Sequence, residues 1–115
     1  MSKRTERVQE LARRVLGELM HELKDPRIGF ATVTGVRITP DLRHAHVDVS
    51  VMGFEEEQSL TMVGLQSAAP RLQKELGHEL KLKYTPELTF ELDDTQQQAG
   101  RIEELLRKLH ESESE

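Results

Sequence analysis

Apolar residues recur every three or four positions early in the chain: Val8, Leu11, Ala12, Val15, Leu19 and Leu23 fall on one helical face. Arg4, Arg7, Arg14 and Glu18 lie mostly off that face. The pattern predicts a helix over residues 5–23. It should stop by Lys24, because Pro26 lacks an N–H and biases Asp25 away from helical angles. Asp25-Pro26-Arg27-Ile28-Gly29 then reads as a turn. The apolar period next shortens to two. Ala31 and Val33 share one phase and Val36 and Ile38 the other, so a strand over 30–39 should carry a bulge or strong twist at Gly35. After a turn at Pro40-Asp41, Ala45, Val47, Val49 and Val51 alternate with His44, His46, Asp48 and Ser50. This predicts a second strand over 44–52, paired with the first in an antiparallel hairpin.

Glu55-Glu56-Glu57 opens a helical stretch, with negative charge placed well at its N-terminus. It runs through Leu60, Val63 and Leu65 to about Ala68, where Pro70 interrupts it. A second helical piece carries Leu72, Leu76 and Leu80, and Thr85-Pro86 breaks it. Leu88, Phe90 and Leu92 alternate as a third strand, ended by Asp93-Asp94. A last helix over 98–110 presents Ile102, Leu105, Leu106 and Leu109. Leu60, Val63, Leu72, Leu76, Leu105 and Leu109 are expected in the core. The order α-β-β-α-α-β-α predicts an α+β domain, a three-stranded sheet with helices on one face. Residues 1–110 would form that domain and residues 111–115 an acidic, disordered tail.

The chain has 115 residues, enough for one core. It lacks cysteine, which excludes disulfides, thiolate metal sites and cysteine nucleophiles. No apolar run is long enough for a signal peptide or a membrane span, so a cytoplasmic protein is expected. The only aromatic residues are Phe30, Phe54, Tyr84 and Phe90, too few for a surface that stacks many bases. The net charge of −5 argues at first against nucleic acid, but its distribution matters more. Residues 1–54 hold nine Lys/Arg against seven Asp/Glu, residues 55–83 four against five, and residues 84–115 three against nine. The acidity is concentrated at the C-terminus.

The element order, with two short helices meeting at Ala68-Ala69-Pro70, resembles the type II KH domain. Local sequences narrow the likeness. Lys24-Asp25-Pro26-Arg27-Ile28-Gly29 and Val33-Thr34-Gly35-Val36-Arg37-Ile38-Thr39-Pro40-Asp41-Leu42 resemble the first turn and strand of the ribosome-binding factor A family. Ala45-His46-Val47-Asp48-Val49-Ser50-Val51 is similar to its second strand. Leu80-Lys81-Leu82-Lys83-Tyr84-Thr85-Pro86-Glu87-Leu88-Thr89-Phe90, followed by Asp93-Asp94, resembles its most specific segment. Gly100-Arg101-Ile102 and Leu105-Leu106 are similar to the start of its closing helix. This likeness implies a monomeric, non-enzymatic factor without cofactor or small-molecule substrate. It implies binding to free small (30S) ribosomal subunits, help with 16S rRNA maturation near the 5′ end, and a role in growth in the cold. Two departures stand out. There is no Gly-x-x-Gly loop of the ordinary KH kind, and Pro70 stands where the family usually has Gly at the interhelical kink. Gln73 also replaces a common basic residue, between Arg71 and Lys74.

Lys3, Arg4, Arg7, Arg13 and Arg14, with Lys24, Arg27, Arg37 and Arg43, form one set of candidate phosphate contacts. Arg71, Lys74, Lys81 and Lys83 form a second, around and after the kink. Taken alone, such residues more often serve only to solvate a surface. His44, His46 and Asp48 share one strand face at a spacing that could hold a metal, although that face is more simply the wet side of a half-buried sheet. Glu55–Glu57 and Asp93-Asp94 read as helix-terminus and turn chemistry rather than as a general acid–base pair. Two rival functions follow: a protein-interaction module without RNA, and a metal-dependent hydrolase built on His44, His46 and Asp48.

Overall fold

The computed structural model describes residues 3–113. Its elements are α1 (Lys3–His21), β1 (Ala31–Ile38), β2 (His44–Val51), α2 (Glu55–Glu79), β3 (Glu87–Leu92) and α3 (Thr95–Glu113). The fold is α+β, as the sequence predicts. The strands form one sheet in the order β1-β2-β3, with β1 and β2 antiparallel and β2 and β3 parallel. The parallel pairing follows from α2, which carries the chain back to the end where β2 began. The register shifts between Val33 and Gly35, so Val33, Val36 and Ile38 all reach the core despite their different phases.

One face of the sheet contributes Ala45, Val47, Val49, Val51, Leu88 and Phe90 to the core. Ala12, Leu16 and Met20 of α1 and Leu65, Ala69, Leu72 and Leu76 of α2 close over them. Glutamine side chains from the helices accept from backbone N–H groups on both outer edges of the sheet. Gln9 Oε1 accepts the Ile38 N–H at 2.9 Å, Gln73 Oε1 the Leu88 N–H at 3.0 Å, and Gln66 Oε1 the Phe90 N–H at 3.5 Å. These three edge groups are thereby unavailable for pairing with another chain.

The two helices expected on either side of Ala68-Ala69-Pro70 are one helix, α2, with Pro70 inside it. Pro70 cannot donate to the Gln66 carbonyl. The helix continues because Leu65, Ala69, Leu72 and Leu76 form one unbroken buried stripe and Pro70 sits on the exposed side. Four residues expected in the core are instead exposed: Leu60 and Val63 on the outer side of α2, and Leu105 and Leu109 on α3. No α3 side chain is buried among the described residues. The radius of gyration, 17.4 Å, accordingly exceeds the roughly 13 Å of a compact chain of this length. Of the acidic tail expected over 111–115, residues 111–113 belong to α3, and the last two lie outside the described residues.

Candidate nucleic-acid interface

The end of the sheet where β2 and β3 begin is built by two constrained loops. In the first, the Leu42 N–H donates to the Thr39 carbonyl at 2.8 Å around Pro40, whose ring presets the turn angle. Leu42 takes a left-handed conformation (φ 61°). The Asp41 carboxylate accepts the Thr39 hydroxyl at 2.6 Å and the Arg43 N–H at 3.1 Å. These bonds, the Thr39 hydroxyl first, hold the Asp41 carboxyl below its usual range. The backbone of Arg43 is therefore fixed while its guanidinium projects outward.

The second loop leaves α2. The Leu82 N–H donates to the Gly77 carbonyl at 3.1 Å and the Lys81 N–H to the His78 carbonyl at 3.3 Å, with Lys81 left-handed (φ 53°). This is the Schellman arrangement, at a position where glycine is usual. Gly77 is buried, and a Cβ there would lie 3.1 Å from Thr85 Oγ1, so the loop folds tightly onto the helix. The Glu87 N–H donates to the Arg43 carbonyl at 2.7 Å and joins the two loops.

This joint brings together residues far apart in sequence. The Arg43 guanidinium lies 4.7 Å from the centre of the Tyr84 ring and the Lys83 ammonium 5.6 Å from it, both within cation–π range. Arg43, His44, Gln73, Tyr84, Thr85 and Glu87 line an open groove of about 560 Å³. A larger groove of about 1040 Å³ shares Thr85 and is lined by Arg71, Lys74, Lys81 and His78, with Glu22, Glu75 and Glu79 among its walls. Arg71 is paired with Glu75 at 3.2 Å. Arg43, Lys74, Lys81 and Lys83 have no carboxylate partner among the described residues. Lys81 lines the larger groove, and Lys83 sits beside the Tyr84 ring of the smaller one. The bond from Ile38 to Gln9 lays the first half of α1 over the same end of β1, and Arg4 and Arg7 are exposed on its leading turns.

The other predicted residues go elsewhere. Arg14 is exposed on α1, and Arg13 is tied to Glu10 at 2.5 Å, which lowers the Glu10 carboxyl and raises the guanidinium. Lys24 and Arg27 occupy the loop before β1, at the opposite end of the sheet. Arg27 grips Asp25 through both carboxylate oxygens, at 3.0 and 2.6 Å, and lowers its carboxyl. Arg37 stands on the helix-free face of the sheet, 3.3 Å from Asp48 and 3.1 Å from Glu91. Ala68, Ala69 and Pro70 lie within α2, just before Arg71.

The metal reading of His44, His46 and Asp48 fails on geometry. Asp48 faces Arg37, His46 Nδ1 faces Glu91 at 3.4 Å, and His44 Nδ1 faces Glu87 at 3.6 Å. No group of three ligands able to hold a metal occurs among the described residues. Sequence reasoning missed Tyr84. Its signal was a single tyrosine between Lys83 and Thr85. It also missed the work of Gln73, which holds the edge of β3 where a basic residue is common in the family.

The sequence model of ribosome-binding factor A matches residues 4–106. The chain belongs to the ribosome-binding factor A family. It is 45% identical over 111 residues to ribosome-binding factor A of Halothermothrix orenii, covering 96% of this chain and 91% of that one. The crystal structure of ribosome-binding factor A from Thermus thermophilus superposes with a TM-score of 0.68 at 27% identity, over 76% of this chain and 94% of that one. A homology model of the Thermus thermophilus factor, fitted into a cryo-EM map of its complex with the 30S subunit, gives 0.62 at 28% identity, over 74% and 90%. As a family member, the chain is a ribosome-binding factor. No helix among the described residues is long and apolar enough to cross a membrane.

Proposed function

We propose that this protein binds the free small ribosomal subunit as a monomer in the cytoplasm. It would do so through the end of its KH-like domain that carries Arg43, Arg71, Lys74, Lys81 and Lys83, flanked by Arg4 and Arg7. The observation that carries this reading is the convergence of four cations without carboxylate partners, Arg43, Lys74, Lys81 and Lys83, on two adjoining grooves. Cations without an ion-pair partner suit phosphate contact, and here Lys74 and Lys81 share their groove with Glu22, Glu75 and Glu79 but pair with none of them. The reported complex of the Thermus thermophilus factor with its 30S subunit supports the same partner.

The mechanism is recognition by a preformed surface, without catalysis. Tighter binding to one assembly state of the 16S rRNA than to another shifts the population toward maturity, including maturation near the 5′ end. That service matters most in the cold, where misfolded RNA rearranges slowly.

Cosedimentation with free small subunits, free large subunits and assembled ribosomes across a salt series tests this. Selective retention on free small subunits, with a log–log salt slope of about −3, is expected for four phosphate contacts. Equal retention on all particles, or none at low salt, would reject it. The apolar stripe of α3 (Ile102, Leu105, Leu106 and Leu109) favours a second reading, a protein-interaction module. That reading requires salt-insensitive binding.

A further inference from the structure

Tyr84 is 52% exposed and lies outside the hydrophobic core. Its hydroxyl makes no hydrogen bond among the described residues. The usual reasons for a tyrosine, core volume or a buried polar anchor, are therefore absent. Two cations rest against the ring instead, and neither has a carboxylate partner within 4 Å. The nearest acid in the groove, Glu87, faces His44. The backbone on both sides is constrained: the Arg43 carbonyl is bonded to Glu87, and Lys81 closes the end of α2. An exposed ring, two adjacent unneutralised cations and a rigid frame are the components of a base-stacking subsite, one part for the base and the other for its phosphate. The groove of about 560 Å³ lies within the roughly 300–1,000 Å³ typical of small-ligand sites.

We infer that Tyr84, with Arg43 and Lys83, forms a platform that stacks one unpaired nucleotide of the bound RNA. This rests on the proposed binding of ribosomal RNA and deepens it. The basic end would recognise a single-stranded segment with a splayed base rather than the backbone of a duplex. A base inside an A-form helix is covered on both faces and cannot reach the ring. Stacking on the outer plane of the Arg43 guanidinium uses the same geometry, because guanidinium planes also stack bases.

Tyr84 is the only tyrosine and the chain has no tryptophan, so intrinsic tyrosine emission reports this ring alone. The full chain is titrated with a short unstructured oligoribonucleotide and with a blunt RNA duplex carrying the same number of phosphates. Quenching of Tyr84 emission by the single strand, with little change on adding duplex, is expected. Affinity for the single strand should fall about 5- to 100-fold in Tyr84→Leu and stay within about twofold of wild type in Tyr84→Phe. Unchanged emission on single-strand binding, or Tyr84→Leu binding like wild type, would overturn the inference. Were small subunits still retained in a salt-sensitive way, only the stacking subsite would be lost. Loss of all RNA and subunit binding at low salt would remove the underlying reading as well.

Discussion

The two ends of the sheet are made from similar parts and have opposite chemistry. At each, a loop rich in basic residues feeds a strand and leans on α2. In the loop before β1, the arginine and the tight backbone find partners inside the protein, and Lys24 is the one cation there without a carboxylate partner among the described residues. Arg27 grips Asp25, the Gly29 N–H donates to Thr61 Oγ1 at 3.1 Å, and Ile28 packs against Gly64. At the other end, the backbone is equally well fixed but the cations are left over, and two non-glycine residues, Leu42 and Lys81, are held left-handed. Residues in such conformations cost stability and cluster at functional sites. Basic composition alone therefore does not mark an interface. What distinguishes the second end is a constrained backbone that gathers four unneutralised cations, against one at the first.

The largest effect should come from reversing charge at the unpaired end. Arg43→Glu combined with Lys83→Glu should weaken small-subunit binding about 100-fold and flatten its salt dependence. Arg27→Glu, at the paired end, should change binding less than about threefold in the same sedimentation assay. The comparison breaks if the two variants behave alike.

Stability should show the opposite ranking. A Cβ at Gly64 would lie 2.7 Å from Ile28 Cγ1, so Gly64→Val should cost about 1–3 kcal/mol in urea unfolding. Small-subunit binding well below the melting temperature should be unchanged. A smaller and opposite effect is expected at Lys81. Lys81→Gly relieves the left-handed strain and should raise stability by about 0.5–1 kcal/mol while weakening binding about threefold. A gain in both would mean that Lys81 does not contact RNA.

The smallest effect concerns pH. The Arg27 hydrogen bonds depress the Asp25 carboxyl in the folded state. Their contribution is therefore present above the carboxyl's ordinary range and is lost as pH falls through the depressed value. Asp25→Asn should lie below wild type at neutral pH and converge with it at acid pH in denaturant midpoints. A constant offset at all pH values would contradict the pairing.

Much of the architecture was legible because burial imposes periodicity. The alternation in β2 named every core residue of that strand, and the phase change around Gly35 located the bulge. The helices mark the limit of such reasoning. α1 and α3 are both 19 residues long and both amphipathic, yet α1 buries Ala12, Leu16 and Met20 whereas α3 buries nothing described. A stripe shows that a helix has a face for a partner, but not that the partner lies in the same molecule. Pro70 misled for a related reason: local chemistry predicted a break, and the stripe from Leu65 to Leu76, readable in the sequence, outweighed it. The candidate site was legible only as a set of charges. Which of them converge depends on the hydrogen bond between Glu87 and Arg43, a contact between loops that no local pattern encodes.

On this account, the end carrying Arg43, Lys81 and Lys83 faces the RNA. The chain has no cysteine, so single cysteines can be introduced cleanly for directed hydroxyl-radical probing. Thr85→Cys, between the two grooves, and Lys24→Cys, at the opposite end, would each be tethered to an iron chelate and bound to free small subunits. Strong localised cleavage of 16S rRNA from position 85, with little from position 24, is the result predicted. Cleavage from position 24 alone, or equal diffuse cleavage from both, would contradict it.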